Sequence, residues 1–153
     1  MNLIPKLLAI LFGTDQTGLR EYLSLLLLAC GAFAFTFAAY AFGIYPTGSG
    51  VILIHPYGAL AGVIGALLIG YYRAGLVFGW LITHMSLLGY QADWAVFRDP
   101  DGSLLDAVAC LFRLDMLTYI AVEAIVFAVP AFVLGYTLRW VITVGRTHWE
   151  IAE

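Results

Sequence analysis

The stretch Gly58-Ala-Leu-Ala-Gly62-Val-Ile-Gly65-Ala-Leu-Leu-Ile-Gly70 carries no charge and places small residues at positions 58, 62, 66 and 70. On a helix, a four-residue spacing draws a line down one face, and a line of small residues lets a neighbouring backbone come close. Neither water nor hydrocarbon calls for that much glycine; a close neighbour does. The segment therefore reads as the inner packing helix of a membrane bundle, with Gly58, Gly62, Gly65, Ala66 and Gly70 as contact residues. Gly75 and Gly79 repeat the spacing in the segment that follows. The contacts are expected either within the chain or between copies or partners in a homo- or hetero-oligomer.

Working outward, no Asp, Glu, Lys or Arg occurs between Glu21 and Arg73, a run of 51 residues. A soluble domain could hardly bury such a run, whereas two spans of roughly 20 residues joined by a turn account for it. Charged residues make up 11% of the 153-residue chain and hydrophobic ones 63%, against roughly a quarter charged in a soluble domain. The lipid bilayer is thus the expected partner. A net charge of −3 with no basic stripe argues against nucleic acid, and two cysteines give no disulfide framework.

The expected fold is all-α: one membrane domain over residues 1–153, a four-transmembrane-helix bundle with spans at about 22–43, 52–71, 75–94 and 116–138. Tyr22, Tyr40, Tyr45, Tyr71, Tyr72, Tyr90, Trp94, Tyr136 and Trp140 mark span ends, where aromatic rings favour the headgroup level. Two short interfacial helices are expected at about 2–12 and 103–113. In the first, Leu3, Ile4, Leu7, Leu8 and Leu11 share a face opposite Asn2 and Lys6; the segment lacks the cleavage site of a signal peptide. In the second, Ser103 and Asp106 form a capping-box pattern. A single helix from 104 to 139 is the alternative, but at ~1.5 Å per residue it would reach ~54 Å and need a bend or an extension beyond the hydrocarbon.

Orientation follows from the basic residues. With the amino terminus inside, Lys6, Arg20, Arg73, Arg139 and Arg146 are cytoplasmic; Arg98 and Arg113 fall outside with Asp93, Asp99, Asp101, Asp106 and Asp115. Five positive charges against two place both termini in the cytoplasm of a multi-pass protein of the cell membrane.

Chemistry is sparsely signalled. Glu123 falls inside the fourth span and His84 near the middle of the third, at comparable depth. A carboxylate in hydrocarbon must be neutral, paired or facing water, so the two form a candidate polar pair, serving either a hydrogen bond between helices or a proton or ion path. Pro130, seven residues after Glu123, is expected to kink that helix. His55, His84 and His148 lie at three depths, with no His-x-x-His or Cys-x-x-Cys spacing, so no metal, haem or other cofactor is expected. Cys30 and Cys110 read as small apolar residues. Asp99, Asp101 and Asp106 lack the later ligands of a calcium loop and read as a solvated turn. No nucleophile motif or phosphate loop is present, so catalytic residues are not expected. The leading expectation is a small non-enzymatic membrane protein, an accessory or structural subunit packing against partner helices. The alternative is a small transporter or proton path using Glu123 and His84.

Overall fold

The computed structural model describes residues 3–13, 18–46, 56–97 and 103–150, with side chains throughout except at 104 and 145–150. Among the described residues every regular element is an α-helix. In chain order these are α1 (Leu3–Phe12), α2 (Leu19–Ala41), α3 (Pro56–Tyr72), α4 (Leu76–Phe97), α5 (Leu104–Leu111) and α6 (Leu114–Glu150). The start of the second expected span (52–55), His55 and the turn with Arg98, Asp99 and Asp101 lie outside the described residues.

The helix ends have local causes. Beyond α2, Gly43 takes φ +70°, and the Ile44 N–H turns back to the Ala39 carbonyl at 2.8 Å, closing the last turn. After α3 the left-handed position is held by Arg73 (φ 59°), with Ala74 N–H donating to Ile69 O at 3.1 Å. Ser103 caps α5: its hydroxyl oxygen accepts the Asp106 N–H, and the Asp106 carboxylate accepts the Ser103 N–H at 3.0 Å. Phe112 and Arg113 interrupt the helix between α5 and α6, so the segment at 103–113 does not run on into the long helix. Helix α6 has 37 residues, about 55 Å at 1.5 Å each. It continues through Pro130, and its last turns occupy the region where a polar tail was expected after Arg139.

Two helices are long and apolar enough to cross a membrane: α2, at mean hydropathy 2.0, and α6 over Leu114–Val144, at 2.2. On length and composition they support membrane association. Helix α3 is apolar but has 17 described residues. Helix α4 has 22 residues and carries Thr83, His84, Ser86, Gln91 and Asp93, which lower its hydropathy.

Helices α2, α3, α4 and α6 alternate in direction. Tyr22 meets Phe78 and Tyr40 meets Tyr90, so α2 runs parallel to α4. Gly62 faces Thr83 and Gly79 faces Ala66, so α3 runs antiparallel to α4. Ala59 packs with Ala124, Ala66 with Ala128, and Tyr71 meets Arg139, so α6 runs parallel to α3 and antiparallel to α4. The glycine stripe was expected to mark the central helix. Instead α4 is the hub, touching α1, α2, α3, α5 and α6, while α3 lies between α4 and α6 and barely meets α2. Helix α4 carries polar side chains into the centre, where Trp80, Thr83 and Ser86 find hydrogen-bond partners.

The interior combines many small and several polar side chains with a few large apolar ones, Ile69, Ile82, Leu87, Ile120 and Phe132, while the exterior is large and apolar. Ala29, Ala59, Ala66, Ala124, Ala128 and Ala131 are buried with Thr36, Thr83, Ser86, Asp93 and Glu123, whereas Leu27, Leu134 and Val126 are 72, 61 and 62% exposed. The glycines make this packing possible. A Cβ on Gly135 would collide with the Leu67 carbonyl, one on Gly70 with the Phe132 carbonyl, and one on Gly62 would sit 2.5 Å from the Thr83 Cα. Gly58, Gly62, Gly65, Ala66, Gly70 and Gly79 are all buried within the chain, as is Gly75, which backs onto the end of α1.

Candidate functional site

The polar groups of the interior fall in two places along α4. The first is midway, between α4 and α6. Trp80 donates its indole N–H to the Ala121 carbonyl at 3.0 Å. His84, one turn on, stacks on Trp80 with ring centroids 5.4 Å apart and faces the Ile120 carbonyl. Its Nδ1 is buried and has no partner among the described residues. Glu123 is 8% exposed on α6, three residues beyond Ile120, and its carboxylate acts electrostatically on Tyr119, one turn back along the helix. The two candidate residues therefore stand on facing helices at similar depth. Their known contacts differ: the imidazole with Trp80 and the α6 backbone, the carboxylate with Tyr119. Pro130 is exposed on the outer surface of α6.

The second place is nearer the end of the bundle that α5 caps, and residue-by-residue reading of the sequence missed it. Asp93 was expected among the charges of the outer loop. It is instead completely buried in α4, because that helix continues to Phe97 and turns residue 93 inward. Tyr40 lies close enough to feel its charge, and Tyr90, Tyr45 and Tyr57 extend from Tyr40 in a chain of ring contacts. Tyr40 is 4.7 Å from Tyr90 and 5.3 Å from Tyr45 between ring centroids, and Tyr45 is 5.8 Å from Tyr57. The Tyr40 hydroxyl oxygen accepts the Gly58 N–H. One turn deeper, the Ser86 hydroxyl lies 2.6 Å from the Gly58 carbonyl and 2.9 Å from the Thr36 hydroxyl, tying α2, α3 and α4 together. A shallow groove of about 220 Å³, lined by Tyr90, Gln91, Trp94 and Met116, runs beside the cluster. A signal was present in the sequence: Thr83, Ser86, Tyr90 and Asp93 recur at three- and four-residue steps, a polar stripe on an otherwise apolar helix.

The remaining candidates lie apart. Cys30 is exposed on α2 and Cys110 partly covered on α5. The His148 side chain is outside the described set. Among the described residues no three His, Cys, Asp or Glu side chains converge as a metal set. Comparison with known protein families, with curated proteins and with solved structures finds no match for this chain.

Proposed function

We propose that the chain is a multi-pass protein of the cell membrane in which α2, α3, α4 and α6 cross the bilayer and both termini are cytoplasmic. On this reading it serves without catalysis as an accessory subunit that packs against partner helices. The observation that carries the reading is the inverted distribution of side chains. Leu19, Leu23 and Phe35 of α2, Leu60, Ile64 and Leu68 of α3, and Val122, Ile125, Val129 and Val133 of α6 all point outward. The interior is rich in alanine and glycine and holds two acids and three hydroxyls beside a few large apolar side chains. In water this would leave apolar patches far larger than the few hundred Å² that soluble monomers tolerate; in lipid it costs nothing, and small residues inside are what helix association there requires.

The accessory role is supported by the economy of the chain. The helices account for most of it, and the outer faces of α2 and α6, which do not touch each other among the described residues, stay open for neighbours. The small-residue stripe of α3 is occupied by the chain's own α4 and α6, so partner helices would meet Leu and Val surfaces. Purification in mild detergent tests this. A complex larger than one chain, weakened when Leu27 or Val126 is replaced by Trp, supports the subunit role; a stable single chain in native-like nanodiscs contradicts it.

A second reading, a proton or ion path, is favoured by three titratable side chains inside the bundle, Glu123 and Asp93 buried and His84 half-buried. Flux into proteoliposomes, compared between the wild type and Glu123→Gln, decides it. Equal and negligible flux removes the path.

A further inference from the structure

Resting on the membrane reading, we propose that the end of the bundle formed by the α3–α4 turn and the facing turn of α6 is a binding site for a phosphate group, held by Arg73 and Arg139. Arg73 occupies the left-handed position that ends α3, at φ 59°, where glycine would be unstrained. The chain accepts that strain and places a cation there. The Arg73 guanidinium lies 4.8 Å above the ring of Tyr136, and its Nε is buried without an acceptor. Three residues beyond Tyr136, Arg139 reaches across to donate from Nη1 to the Tyr71 carbonyl at 3.1 Å.

Both guanidinium groups thus converge on one turn of α6 and the last turn of α3. Both are half-buried. Their partners are a ring face and one carbonyl oxygen, and no carboxylate among the described residues pairs with either. Arg113, at the opposite end, shows the contrast: it is exposed and donates from Nε and Nη2 to both oxygens of Asp115, at 3.2 and 2.7 Å. A half-desolvated cation without a counter-charge favours an anion that arrives from outside. The planar fork of five N–H donors on each guanidinium suits a phosphate better than any other common anion. Tyr71, Tyr72 and Tyr136 surround the site, the residue type that sits at headgroup level, where lipid phosphates lie. A phospholipid headgroup and free phosphate share this chemistry.

The test uses the full-length protein in mild non-ionic detergent, with bound lipid counted by native mass spectrometry after adding phosphatidylglycerol or phosphatidylcholine. The wild type is expected to retain phosphatidylglycerol preferentially. Arg73→Asn, chosen because Asn tolerates the left-handed backbone, and Arg139→Gln are each expected to lower that retention roughly fivefold. Arg113→Gln is expected to leave it unchanged. Arg139→Lys, which keeps the charge, should bind better than Arg139→Gln. Displacement of the lipid by millimolar inorganic phosphate assigns the site to free phosphate, and resistance assigns it to the headgroup. Equal retention by the wild type and the Arg73→Asn/Arg139→Gln double variant overturns the proposal, as does a loss in Arg113→Gln as large as in the double variant. Failure of the membrane reading shows itself differently, as protein that stays monodisperse with no detergent at all.

Discussion

Ser86 serves three helices with one oxygen. It stands on α4, donates its proton to the Gly58 carbonyl of α3 and accepts the hydroxyl proton of Thr36 of α2. Removing it leaves a buried hydroxyl on Thr36 and a carbonyl with one partner fewer. Ser86→Ala is therefore expected to cost about 1 kcal/mol, toward the upper end for hydrogen bonds between membrane helices, read as a lower denaturant midpoint in detergent. The glycines offer a sharper contrast. Gly135→Ala drives a methyl into the Leu67 carbonyl, backbone that cannot step aside, and should cost roughly 2 kcal/mol. Gly31→Ala meets nothing within 4 Å, so the better helix propensity of alanine should leave stability equal or raise it by up to about 1 kcal/mol. The same unfolding titration reads both. If Gly135→Ala proves as mild as Gly31→Ala, the close crossing of α3 and α6 is refuted.

Helix α5 is where sequence and structure agree most closely, and the reason is range. Its start depends on Ser103 and Asp106, three residues apart, so the whole interaction is written locally. The hydroxyl and backbone N–H of Ser103 hold the Asp106 carboxyl below its ordinary range. A folded-state value lower than the unfolded one means the cap is at full strength above the ordinary carboxyl value of 3.8, and is lost as pH falls through the lower, folded one. Amide protection at Ala107 and Val108 should then be flat from neutral pH to about pH 5 and decline below about pH 4. Ser103→Ala should abolish that decline; a decline that survives it assigns the pH response elsewhere. Helix α4 is the opposite case. Its place at the centre depends on Thr36 and Tyr40, some fifty residues away, and on Gly58, nearly thirty away. Asp93 was misplaced for that reason: by itself an aspartate near a helix end reads as solvated, and only its burial beside Tyr40 of α2 shows it to be interior. The small-residue stripe of α3 was visible at once, whereas its partners, α4 and α6, are set by tertiary contacts the stripe does not name.

For the whole molecule the decisive question is the solvent, and the two cysteines answer it by the order in which they react. Cys30 is the more exposed on the protein surface, twelfth of the 23 residues of α2, among Leu26, Leu27 and Leu28. Cys110 is partly covered, near the end of the short capped helix. A thiol must ionise to react, so the reagent needs water at the sulfur. Were the protein dissolved in water, Cys30 would react first with a charged, membrane-impermeant maleimide. With α2 across the bilayer, Cys30 faces hydrocarbon at mid-depth and the order reverses: Cys110 reacts from outside intact cells while Cys30 stays unmodified until the protein is unfolded. Both outcomes use the native chain, so no substitution can disturb the comparison. Modification of Cys30 ahead of Cys110 in intact membranes would remove the bilayer from the description, and with it the crossing of α2, the outward role of its leucines and the headgroup level assigned to Arg73 and Arg139. The reverse order, with Cys110 reached from the outside, would fix the side on which α5 lies and so, through the alternating directions of α2, α3, α4 and α6, the side of every other turn.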